Sequence, residues 1–136
     1  MIFCQLIRLL EQVILVDRVK LQYSIICKRD EKNNFIDLIH GFRPGNSSFF
    51  ITNKWIWDDN NCEDGFYQET EVLKNGETIA LSKSDIFNVR LSHSHHNLFK
   101  DIPFQDSNDY RIRVGLFNKE DKKIEEASLD YPLYVK

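Results

Sequence analysis

The chain has 136 residues, of which 42% are hydrophobic and 29% charged, the balance of an ordinary globular protein and not of a disordered or membrane-embedded one. Its 18 Lys and Arg against 21 Asp and Glu leave a net charge of -3, which argues against the basic field that duplex nucleic-acid binding requires. Cys4, Cys27 and Cys62 form no CxxC pair, so neither a disulfide framework nor a zinc knuckle is expected, and the chain reads as a cytoplasmic one.

Residues 1–16 place Phe3, Leu6, Ile7, Leu10, Val13 and Ile14 at helical spacing, with Gln5, Arg8, Glu11 and Gln12 filling much of the opposite side. The pattern predicts an amphipathic helix that caps the domain or covers an edge strand, with dimerisation or membrane-surface docking as the other roles. A strand over Val13 to Val16 fits as well. The run is too short to span a bilayer, and its polar interruptions and lack of a small-residue cleavage site do not fit a signal peptide.

From Val19 the period becomes two. Leu21, Tyr23, Ile25 and Cys27 alternate with Gln22, Ser24 and Lys28, which predicts a strand with the first set on the core and Cys27 as a buried small hydrophobe. The charged run Lys28 to Asn34 reads as a hairpin turn, and Ile36, Leu38, His40 and Phe42 as one face of a second strand ending at Arg43-Pro44-Gly45-Asn46. Asn46-Ser47-Ser48 is a glycosylation sequon, which matters only in a secreted protein and is read here as a turn. Phe49, Ile51, Trp55 and Trp57 share a face of the third strand, suggesting the centre of a core.

Further on, Asn75-Gly76 between two strand-like runs is a strong hairpin signal. Strands follow at Asp85 to Leu91, Leu98 to Gln105 and Tyr110 to Phe117, and a charged hairpin from Lys119 to Glu126 leads to a last strand through Tyr131, Leu133 and Val135. Short strands with regular turn signals and no helical pattern between them predict one antiparallel β-sandwich domain over 1–136, with about eight strands.

Asp106-Ser107-Asn108-Asp109-Tyr110-Arg111-Ile112-Arg113-Val114 resembles the tyrosine corner of immunoglobulin-like domains, in which an Asp stands four residues before a Tyr that opens the penultimate strand. The order of the elements is more loosely similar to that of small uncharacterised bacterial sandwich proteins. The resemblance implies an immunoglobulin-like fold and a Tyr110 hydroxyl bonded to nearby backbone. It departs from antibody domains, because Ile112 stands where their second disulfide Cys would be and no Trp follows Cys27 at the usual distance. A fold of this kind implies no particular activity.

Among residues that could carry chemistry, Ser92-His93-Ser94-His95-His96 stands out. On an extended segment His93 and His95 point to one side, and with His96 they make a candidate zinc, copper or nickel site, for which His40, Asp101 or Asp106 could supply a further ligand. The plainer reading is a polar loop, which three imidazoles could still make pH-sensitive. The acidic loop from Asp58 to Gly65 offers Asp58, Asp59 and Asp64 as candidate calcium ligands, but it departs from the EF-hand pattern by placing Cys62 where an oxygen belongs. No nucleophile elbow, Walker loop, GxGxxG or HExxH occurs. Arg111 and Arg113 share an outward strand face that suits an acidic partner or simply water. The sequence therefore points to a non-catalytic protein-binding or scaffold module, using loops, an outward sheet face or residues 1–16. The alternatives are a metal-binding domain or metal-dependent enzyme built on His93 to His96, and a self-associating component dimerising through residues 1–16. No cofactor is expected otherwise.

Overall fold

A computed structural model describes residues 19–57, 65–88 and 92–136. The helix predicted over residues 1–16 and the acidic loop with Asp58, Asp59 and Asp64 lie outside the described residues. Nine strands and one 3-10 turn, Glu125–Ala127, make up the described part. One sheet, sheet A, has the order β2-β1-β3-β7, built from β1 (Val19–Arg29), β2 (Phe35–Leu38), β3 (Gly45–Trp57) and β7 (Ser92–Phe104). Sheet B has the order β5-β4-β8-β9, from β4 (Gly65–Lys74), β5 (Glu77–Lys83), β8 (Tyr110–Asn118) and β9 (Leu129–Leu133), and the two-residue β6 (Phe87–Asn88) pairs with β4. All strand pairings are antiparallel, and the two sheets stack as an immunoglobulin-like sandwich.

The core lies between the sheets, where alternation sends Phe49, Ile51 and Trp55 of β3 against Val72 of β4 and Ile112, Val114 and Leu116 of β8. Aromatic rings close one end: Phe42, Phe49, Phe99 and Phe104 pack with centroids 4.6 to 5.9 Å apart, and Tyr110 stands edge-on to Phe104 at 5.1 Å. The Tyr110 hydroxyl accepts the Gln105 N–H at 2.9 Å, bonding the side chain to backbone five residues upstream. Asn75 and Gly76 form the β4–β5 turn with φ of 52° and 85°, a left-handed pair that matches the twist of the flanking strands.

A polar layer also bridges the sheets, and the chemistry of its atoms fixes its sense. Asn97 Nδ2 donates to the Ile51 carbonyl at 2.9 Å, so its Oδ1 accepts from Gln68 Nε2 at 3.1 Å and from Ser82 Oγ at 3.0 Å. Gln68 Oε1 is thereby turned to accept from Trp55 Nε1 at 2.8 Å and from Asn53 Nδ2 at 3.2 Å, and Asn53 Nδ2 also donates to Thr70 Oγ1 at 2.9 Å. Nearer the β1 and β9 side, the Ser24 and Tyr131 hydroxyls bond across the gap at 2.8 Å. Burial, ahead of every other influence, pushes the Tyr131 phenol up to about 12.

Several sequence expectations are corrected. A β-bulge between Leu21 and Tyr23 resets the phase of β1: Leu21 pairs with Trp55 on the inner side, but beyond the bulge Ser24 and Ile26 pair with Asn53 and Ile51 there. Tyr23, Ile25 and Cys27 therefore stand on the outer face. The second strand is only Phe35–Leu38 and fully exposed, while Phe42 is buried and bridges Val135 outside any strand. Asn46 sits in β3 and not in a turn. The His-rich stretch is the first half of the 13-residue β7 and not a loop, because five of its residues, Ser92 to His96, pair in register with β3. The last strand is Leu129–Leu133, its start preceded by the 3-10 turn.

Candidate functional site: the outer face of sheet A

Because Cα partners in adjacent strands share a face, the registers list the outward side chains of sheet A directly. One row crosses all four strands as Leu38, Cys27, Phe50 and Leu98. The next rows are Ile25, Thr52 and His96, then Tyr23, Lys54 and Ser94, then Lys20, Ile56 and Ser92. Phe35 stands opposite Arg29 beyond the first row. At about 4.8 Å per strand spacing the apolar row is about 14 Å long. Tyr23, Phe35, Leu38 and Leu98 are 40%, 51%, 41% and 45% exposed, so four large apolar side chains stand in water on one sheet face.

Beneath these side chains lies a small polar cluster. Cys27 is fully buried with its Sγ 3.7 Å from Thr52 Oγ1, which accepts from Arg29 Nε at 3.0 Å and contacts His96 Nδ1 at 3.0 Å. Arg29 also donates through Nη1 to the Asn33 carbonyl at 2.8 Å. These bonds hold Arg29 and His96 against the sheet, so the apolar rows around them stand on fixed neighbours. Lys54 reaches toward the Tyr23 ring, with Nζ 6.0 Å from the centroid.

The three candidate metal ligands are not brought together. His93 and His95 share the inner side of β7, their ring centroids 6.0 Å apart, as the alternation predicted. His96 is on the opposite face with Thr52. His93 lies flat on Phe87 at 4.0 Å, and its buried Nε2 has no partner among the described residues. Burial holds all three imidazoles below their usual value near 6.5, helped by His95 at His93 and by Arg29 and His95 at His96, and opposed by Asp85 at His95. His40, Asp101 and Asp106 do not join them: among the described residues no three His, Cys, Asp or Glu side chains gather as a metal-ligand set. Arg111 and Arg113 do point outward from sheet B, where Arg113 bonds Asp130 at 3.3 Å and stands opposite Glu71.

The outer face of sheet A was not legible in the sequence as a site. The signal that could have found it is the pair of unbroken apolar doublets, Ile25-Ile26 and Phe49-Phe50, since in a strand adjacent residues face opposite ways and one of each pair must leave the core.

Among the described residues no helix is long and apolar enough to cross a membrane. No protein-family model and no curated protein matches the chain. Among solved structures it is similar to a Niemann-Pick type C2 protein from Japanese carpenter ant, with a TM-score of 0.50 and 11% identity over 88% of this chain and 94% of that one. At that identity the likeness shows the fold alone: an all-β, immunoglobulin-like sandwich of two antiparallel sheets.

Proposed function

We propose that the chain is a non-catalytic binding module that engages a protein partner through the outer face of sheet A. The observation that carries this reading is the exposure of Leu38 and Leu98 at the two ends of the cross-strand row, with Tyr23 and Phe35 beside it, on a sheet whose other face already has its core. Apolar surface of this extent on one face is costly to leave hydrated, and covering it supplies the non-directional part of an association energy. Because the strands beneath are fixed by pairing on both sides of β1 and β3, the surface needs little ordering on binding, which keeps the entropic cost of association low.

The test compares two charge insertions of similar exposure. Leu98→Asp places a carboxylate at the β7 end of the row, whereas Leu81→Asp places one on β5 of sheet B, 53% exposed. Affinity-purified partners are expected to be lost with Leu98→Asp, at a cost of about 1–2 kcal/mol or more for one buried anchor, and kept with Leu81→Asp. Equal retention by both variants, with unchanged affinity, would place the contact elsewhere on the molecule. If the captured partner is a second copy of this chain, sedimentation will show a concentration-dependent dimer that Leu98→Asp dissociates.

A further inference from the structure

The exposed apolar side chains of sheet A lie within reach of an apolar segment of the same chain. Residues 1–16 stand outside the described part and lead, through Asp17 and Arg18, into β1, whose first residue, Val19, is packed in the core opposite Trp57. At about 100° per helical residue, Phe3, Leu6, Ile7, Leu10, Val13 and Ile14 fall within an arc of about 120°, the width of a stripe that a surface helix buries against its neighbour. The inner face of sheet A already has its neighbour in sheet B, with Phe49, Ile51 and Trp55 of β3 buried against it. The outer face leaves Tyr23, Phe35, Leu38 and Leu98 in water.

Resting on the binding-module reading, we infer that residues 1–16 fold back as an amphipathic helix over the outer face of sheet A and cover the surface that a partner engages, so that the partner binds by displacing them. The dimensions agree. A helix of 16 residues is about 24 Å long, and β1 carries the outer rows from Lys20 to Cys27 over about 23 Å. With side chains a helix is about 10 Å across, so it seats between Leu38 and Leu98, which stand at the two ends of a row about 14 Å long. The three Cα steps from Val16 to Val19 reach about 10–11 Å, the separation of one packed layer from the next. The tether also decides between occupants: a segment joined by so short a linker meets its own face at an effective concentration in the millimolar range, far above the micromolar range in which a second copy would compete. Gln5, Arg8, Glu11 and Gln12 then face water.

The test uses the full chain, isotopically labelled, with Cys62→Ser and a nitroxide attached to Cys4; Cys27 is fully buried and keeps its thiol. The nitroxide is expected to broaden the amides of Cys27, Leu38, Phe50 and Leu98 and to spare Glu71 and Arg113 on the outer face of sheet B. Leu6→Glu/Leu10→Glu should abolish the broadening and raise the affinity for the apolar dye 8-anilinonaphthalene-1-sulfonate about tenfold, the factor expected when the face is covered nine times in ten. Adding Leu98→Asp should reverse that gain, and Gln5→Glu/Gln12→Glu on the polar side should change neither readout. No broadening of this face would overturn the inference, and co-sedimentation with phosphatidylcholine–phosphatidylserine vesicles in that case would assign residues 1–16 to a membrane surface. Broadening seen only when labelled chains are mixed with separate nitroxide-bearing chains would also overturn it and assign the face to a second copy. The nitroxide and the dye report whether the face is covered without any partner present, so failure of the cover is a separate result from failure of the binding-module reading, which the Leu98→Asp capture experiment decides. Thermal melts of each variant establish that the fold is intact.

Discussion

Gln68→Leu isolates the polar layer between the sheets. The substitution removes the acceptor of Trp55 Nε1, an indole N–H that has no other partner in the layer, and it also removes one of two partners from Asn53 Nδ2 and one of two from Asn97 Oδ1. Stranding one buried donor costs about 1–3 kcal/mol, and weakening the other two adds roughly 1 kcal/mol, partly offset by the apolar burial of Leu. The net expected loss is about 2–4 kcal/mol, a large share of the roughly 5–15 kcal/mol that holds a domain together. Urea unfolding followed by Trp fluorescence measures it, with the midpoint falling and the slope unchanged. A cycle with Trp55→Phe sharpens the reasoning, because the double variant has no stranded N–H and should recover about 1–2 kcal/mol relative to the sum of the single changes. A loss below about 1 kcal/mol, or no coupling to Trp55, would refute the idea that Gln68 Oε1 is the acceptor that satisfies the buried Trp55 N–H.

Tyr110→Phe leaves the ring in place against Phe104 but removes the acceptor of the Gln105 N–H, so a loss of about 1–2 kcal/mol by urea titration is expected, without change in the circular dichroism of the sheets. Gly76→Ala puts a Cβ on a residue with φ of 85°, where space is open but the backbone is strained, and should cost about 1 kcal/mol; a neutral result would mean that the turn relaxes. For His93, His95 and His96 the folded values lie below 6.5, so the unfolded chain binds protons first as the pH falls. Stability is thus complete above about pH 7 and declines as the pH drops through 6.5 toward the lower folded values. Urea midpoints from pH 7.5 to 5 should show that slope, and His95→Gln should flatten part of it.

Much of the sandwich follows from local chemistry that a sequence displays. Asn75-Gly76, the alternation Tyr110, Ile112, Val114 and Leu116, and the burial of Trp55 are set by turn sterics and strand parity, which act within a few residues. What escaped reading depends on partners far along the chain. The Leu21/Tyr23 bulge is fixed by pairing with β3, and one extra residue exchanges the two faces for the rest of the strand. Likewise, the histidines of residues 93–96 look like loop residues by polarity, yet the strand they form is dictated by the length of β3 opposite, and the inner polar layer gives His93 and His95 a side to face. The outer face of sheet A needed the registers of three strand pairs before its rows existed at all.

The bulge in β1 also has an evolutionary side. With Leu21 committed to the interior before it and Tyr23, Ile25 and Cys27 committed to the exterior after it, one strand contributes to two surfaces that can drift separately. Substitutions at Tyr23 and Ile25 can retune recognition while the interior packing of Ser24 and Ile26 stays as it is, and even deleting Gln22 would only regularise the ladder, leaving Leu21 opposite Trp55 and Tyr23 opposite Lys54.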